Sequence, residues 1–290
     1  MKYRAELFVD SRSEHGEGAL WHPDRQHLFW VDIYGKLVLE ADINGAIVNR
    51  FAFDGNPTAL GIVDRDTLAV AQSGSLLKLD LVSGTKTLLT QIEGDKPGNR
   101  SNDGRVDPSG GFWIGTMGRT AESGAGAVYQ YRAGRVTTVL QNQTVPNSIC
   151  FAPDGRTVYY TDAGAVIRQA ALDPETGLPV GTWSNFAVSP PETGVADGSV
   201  VDSKGYLWNA RWKGGRVIRF APDGTIDREI ALPVTRVSCP AFGGPDLRTL
   251  YLTTSQEGIT PDEATAQPHA GSVFAVEVDV PGLPDHRAVL

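Results

Sequence analysis

The chain has 290 residues, 41% of them hydrophobic, enough to bury a sizeable core in one large domain or two average ones. Its 26 basic and 34 acidic residues give a formal charge of −8, so the average surface repels phosphate backbones and anionic lipid, which argues against a nucleic-acid partner. No stretch approaches the roughly 20 apolar residues of a membrane helix, and residues 1–10 carry no apolar run of signal-peptide length. With only two cysteines, Cys150 and Cys239, the expectation is a soluble cytoplasmic protein with buried thiols, no membrane association and no disulfide framework.

In chain order, Gly and Pro punctuate short runs rich in Val, Leu, Tyr, Phe and Trp, which is an all-β rhythm. Only residues 260–267 suggest a helix, of a turn or two. Six segments share one layout, an acidic or Pro-Asp-Gly turn followed by an apolar strand: HPDRQHLFWVD (22–32), VDRDTLAVAQ (63–72), DPSGGFWIGT (107–116), APDGRTVYYTD (152–162), DSKGYLWNAR (202–211) and GPDLRTLYLTT (244–254). Their ends recur roughly every 45 residues, the period of a four-stranded propeller blade. The predicted fold is therefore an all-β, six-bladed β-propeller spanning residues 1–290 as a single domain. Strands at 3–9 and 272–280 are expected to close one blade and remove the open edge.

Counting back 13 to 15 residues from each strand end reaches Glu17, Thr58, Asn102, Asn147, Asp197 and Cys239. In a propeller the innermost strands line a central channel, so these positions form a ring about one axis. Carboxylates packed together repel and raise each other's pKa, and a divalent cation resolves that conflict. Glu17, Asn147 and Asp197 offer three oxygens and two negative charges, leaving coordination positions open for water and substrate; Ca²⁺, Mg²⁺ or Mn²⁺ suits such ligands, with Fe²⁺ or Zn²⁺ also compatible. Taken singly, Asn102-Asp103-Gly104 and Ala196-Asp197-Gly198 read as ordinary turns; the shared phase is what favours a site. His15 reads as structural, Cys239 as a small buried hydrophobe, and Trp21, Trp30, Trp113, Trp208 and Trp212 as core packing. No G-x-S-x-G elbow, P-loop or dinucleotide fingerprint is present.

With GEGALW (16–21), RSNDGRVDPSG (100–110) followed by GTM (115–117), PNSI (146–149), ADGSVVDSKGYLW (196–208), GGRVIRF (214–220), CPAFGGPDLRTLY (239–251) and QPHAGSVF (267–274), the chain resembles the SMP-30/gluconolactonase/regucalcin-like family of six-bladed propellers. The resemblance implies a metal held by Glu17, Asn147 and Asp197, with Arg100 and Asn102 contacting a sugar lactone and Asp197 taking part in general-base chemistry. It also implies hydrolysis of a pentono- or hexonolactone to the aldonic acid. Where animal members carry a substrate-contacting glutamate three residues after G-T-M, this chain has Thr120, with Glu122 nearby as the other candidate contact. The competing expectations are a non-catalytic calcium-binding regulatory propeller and a metal-dependent hydrolase of aryl esters or phosphotriesters.

Overall fold

The computed structural model describes residues 3–188 and 190–290. Six four-stranded antiparallel sheets follow one another in sequence. Their innermost strands are Gly16–His22, Pro57–Asp64, Asn99–Val106, Pro146–Phe151, Val195–Val201 and Val237–Gly243, which define blades 1 to 6. Each touches its two neighbours around the ring, the last against the first. The sixth sheet takes its outermost strand, Glu6–Val9, from the N-terminal end, where it pairs antiparallel with Val273–Glu277. Both closing strands are shorter than the expected 3–9 and 272–280.

The six apolar runs of the sequence are the second strands of the blades, His27–Asp32, Thr67–Gln72, Phe112–Gly118, Thr157–Asp162, Leu207–Trp212 and Thr249–Thr254. The acidic turns ahead of them have a packing reason. In blade 3 the buried Asp107 accepts hydrogen bonds from the backbone N–H groups of Ser109 and Gly111 and from Trp113 Nε1, 3.1 Å away. In blade 5 Asp202 does the same for Lys204, Tyr206 and Trp208 Nε1 and pairs with Arg219 at 2.6 Å. One carboxylate thus closes the turn and satisfies the indole N–H of a tryptophan that must be buried between blades. Apolar clusters fill every interblade wedge, including Trp21, Trp30, Tyr251 and Val273 at the seam between blades 6 and 1. The helical expectation is met by Pro261–Ala266, opened by a capping box between Thr260 and Glu263.

Residues 281–290 cross the end of the channel opposite the polar ring. Their backbone bonds blade 6 at Leu247, blade 5 at Ser203, blade 2 at Ile62 and blade 3 at Gly110 and Ala133. Inside the channel Asp285 meets Arg105 at 2.6 Å, with both side chains largely buried. Burial works against the Arg105 charge, yet Asp285 and Asp103 hold its pKa above the ordinary value. Asp285→Ala should therefore lower unfolding stability by on the order of 3 kcal/mol, because it strands a buried cation. Urea denaturation is the check; the pair Arg105→Met, Asp285→Leu should lose less, and an equal or larger loss would contradict the account.

Candidate active site

All six innermost strands depart from regular pairing at one depth. Two residues face a single partner at 18–19, 102–103, 148–149, 197–198 and 238–239, and Thr58 is the extra residue in blade 2. A bulge of this kind bends the strand and re-aims a side chain, and repeated around a ring it turns polar groups toward the axis. The common phase seen in the sequence is this ring of bulges: Glu17 and Asn147 stand just before theirs, while Asn102 and Asp197 open theirs. Cys239 falls on the second bulge residue, where it packs with Ala19 and Ala241 as a small apolar side chain.

The ring forms the floor of a cavity of about 410 Å³, with Glu17, Arg100, Asn102, Asn147 and Asp197 in its lining. Glu17 and Asp197 are both buried. Burial raises both carboxyl pKa values; Asp103 raises Glu17 further, and Glu17 and Asp103 raise Asp197. Glu17 Oε2 accepts from the Gly18 N–H at 2.8 Å. The Asp197 carboxylate accepts no hydrogen bond among the described residues, although its backbone carbonyl accepts from Asn209. Two buried carboxylates, one without a donor, are a costly arrangement that a cation relieves.

An orienting relay supplies the third oxygen. Arg100 donates to Asn102 Oδ1 at 2.7 Å, and Asn102 Nδ2 donates to the Pro146 carbonyl and to Asn147 Oδ1, each at 2.9 Å. This fixes the Asn147 amide with its oxygen on the Asn102 side and leaves that oxygen a second lone pair. The set of two carboxylates and one amide oxygen fits a hard divalent cation. Among the described residues no three His, Cys, Asp or Glu side chains group as metal ligands. Asp103, on the same bulge as Asn102, accepts from the Ile149 and Gly104 N–H groups and locks blade 3 to blade 4.

Thr120 and Glu122 are not brought to the cavity wall. They lie exposed on the loop after Phe112–Gly118, where Thr120 Oγ1 donates to Glu122 Oε1 at 2.7 Å, so each occupies the other's polar group. Two residues read as structural do reach the lining: His15 lies beside Glu17, and Trp212 stacks on His15 with ring centroids 5.2 Å apart. Trp21, Trp30, Trp113 and Trp208 are fully buried as expected. Glu257, Arg236 and Lys213 also line the cavity and had no signal in the repeat phase. The readable signal was the loop position just past a second strand, which places Ala163, Lys213 and Glu257 above the channel.

Residues 15–256 match the family described as SMP-30/Gluconolactonase/LRE-like region. The chain belongs to this family. It is 33% identical to the L-arabinolactonase of Azospirillum brasilense over 98% of this chain and 95% of the relative. It is 33% identical to a 6-deoxy-6-sulfogluconolactonase of Pseudomonas putida over 92% of each. The crystal structure of a calcium-binding protein, regucalcin, from Agrobacterium tumefaciens superposes with a TM-score of 0.96 at 36% identity, covering 100% of this chain and 99% of that one. Within the SMP-30/gluconolactonase match lie Glu17, Arg100, Asn102, Asn147 and Asp197, whereas Glu257 falls one residue beyond it.

The bulge in blade 1 depends on Gly18, whose φ is +57° and whose missing Cβ would stand 3.0 Å from the Thr58 carbonyl oxygen. Gly18→Ala should cost about 1–2 kcal/mol from the left-handed backbone alone. A melting curve measures this, and an unchanged stability would mean that the bulge relaxes without strain.

Proposed function

We propose that this chain is a metal-dependent lactonase that opens a pentono- or hexonolactone to its aldonic acid. The observation that carries the reading is the convergence of Glu17, Asp197 and Asn147 on the cavity floor, two buried carboxylates and an oriented amide oxygen with room above them for one sugar ring. The names of the L-arabinolactonase and sulfogluconolactonase relatives support the same substrate class. A divalent ion bound there supplies Lewis-acid polarisation of the lactone carbonyl. Glu17, Asn147 and Asp197 would hold it.

The chain's own groups account for the remaining steps. Arg100, in the cavity wall, faces the polyhydroxylated ligand while its NH1 keeps Asn102 in place. Asp197 takes a proton from the attacking water as the new C–O bond forms. The ring C–O bond then breaks, and the proton passes to the departing alkoxide, giving the open hydroxy acid. The apolar lining at Met117, Val145, Val195 and Trp212 limits access of bulk water to the carbonyl. The reading includes no role for Thr120 or Glu122, which the described loop keeps bonded to each other.

The likeness to the calcium-binding regucalcin favours a second reading, a propeller that binds the cation without turnover. Acid release from a lactone panel decides between them. Exhaustive chelation should abolish hydrolysis and lower the melting temperature, since a ligand held only by the folded state stabilises it, and divalent ions should restore both. Full turnover by rigorously metal-free protein would refute the metal-dependent reading. Asp197→Asn, measured at saturating metal, should retain a deficit of about 10² to 10⁴-fold if the carboxylate activates water. Recovery to wild-type turnover under those conditions would leave Asp197 as a ligand only.

A further inference from the structure

One wall of the cavity is built across the seam where the ring closes. His15 precedes the innermost strand of blade 1, and Glu257 follows the second strand of blade 6; the backbone joins them through a bridge between His15 and Ser255 and a Gln256 N–H bond to the Glu14 carbonyl. His15 Nδ1 and Glu257 Oε2 are 2.5 Å apart, and the Tyr34 hydroxyl donates to Glu257 Oε1 at 3.1 Å. At this distance the Glu257 carboxylate oxygen accepts a hydrogen bond from His15 Nδ1. The imidazole is then fixed from three sides: by Glu257, by Trp212 stacked at 16° between planes, and by Tyr34 edge-on at 5.5 Å. Nε2, the opposite ring nitrogen, makes no hydrogen bond among the described residues and is not a buried orphan, while His15 lines the cavity. An imidazole held in place through one ring nitrogen by a carboxylate, with the other nitrogen left open toward a ligand cavity, is a recognition group.

Resting on the lactonase reading, we propose that His15 Nε2 hydrogen-bonds a ring or side-chain hydroxyl of the sugar lactone and thereby determines selectivity for polyhydroxylated lactones, with Glu257 as the residue that positions it. The role is separate from the cation ligands and from the carbonyl chemistry. It concerns the part of the substrate that distinguishes a sugar lactone from a plain one. A site made to bond a hydroxyl discriminates against a ligand lacking it, because the buried polar group is then left unpaired.

The test is the ratio of kcat/KM for a sugar lactone to that for γ-butyrolactone, which has the ester but no hydroxyls. His15→Phe keeps the stacking on Trp212 and removes the hydrogen-bonding nitrogen. It should reduce the ratio about five- to tenfold, the change expected when one hydrogen bond is lost, mainly through a higher KM for the sugar. His15→Gln, whose amide oxygen reaches the same region, should recover part of it. Glu257→Gln should reduce the ratio by a smaller factor, since Nε2 survives but is no longer held. A merely structural role moves both substrates together and leaves the ratio alone, so a ratio unchanged within about twofold in His15→Phe, with wild-type protein active on sugar lactones, overturns this inference and spares the lactonase reading. Wild-type protein that hydrolyses no sugar lactone overturns the reading and the inference with it.

Discussion

Pairing of Glu6–Val9 with Val273–Glu277 holds the two ends of the chain in one sheet, and the remaining features of the molecule depend on that closure. Six wedge-shaped blades bury their faces only against neighbours, so an open ring would expose two apolar faces at once, the Trp21 and Trp30 side and the Tyr251 and Val273 side. Closure also completes the cavity. His15 and Glu257 are 242 residues apart in sequence yet share a hydrogen bond across the seam, and Arg236 of blade 6 donates to the Gly258 carbonyl on the same loop. The site is therefore a property of the closed ring, which no single blade contains.

Depth within the channel is set by the bulges. A regular inner strand would point alternate side chains along its own blade, whereas the extra residue at 18–19, 102–103, 148–149 and 197–198 turns the strand just where the polar groups sit. The backbone adopts left-handed conformations at Gly18, where glycine does so freely, and at Ser148. Ser148 adopts it despite its side chain, with its hydroxyl 2.6 Å from Ser199 in the next blade. Interblade bonds of this kind, together with Asp103 to the Ile149 N–H, make the floor rigid before any ligand arrives, which is what a site with a defined geometry requires.

Much of this was legible in the sequence, for a physical reason. The acidic turns recur because each blade must satisfy the same turn, and the second strands recur because each must be buried on both faces, so period and strand ends were readable to within a residue or two. The ring positions of Glu17, Asn147 and Asp197 were readable because the bulge repeats with the blade, although the count could not separate the residue before a bulge from the one that opens it. Trp212 and His15 read as structural because their own strands say nothing about the loops they meet. Glu257 was readable only as a loop position past a second strand, since its importance arises from the seam. Thr120 and Glu122 were placed by the resemblance, and their mutual hydrogen bond on an exposed loop follows from the local turn rather than from the repeat.

The two ends of the channel are electrostatically connected. Glu17, Asp103 and Asp197 are buried at the upper end, where Asp103 disfavours ionisation of Glu17 and both disfavour ionisation of Asp197. From below, Arg105 favours the charged forms of Glu17 and Asp103, and it is itself held by Asp285 on the terminal strap. A single buried arginine does not balance three carboxylates and Asp285 as well, so the floor carries a deficit of positive charge that Arg100 offsets only in part. On the proposed metal-dependent reading, that deficit would draw a divalent cation to the upper end and not the lower one. Below the floor, Arg105 and Asp285 already neutralise each other, and the lining there offers Gly18, Ala19, Leu20, Leu60 and Cys239 in place of open carboxylates. The strap thus does more than close the channel: by satisfying Arg105 it keeps the carboxylates above in need of a counter-ion, and it leaves the route for cation and ligand through the cavity mouth.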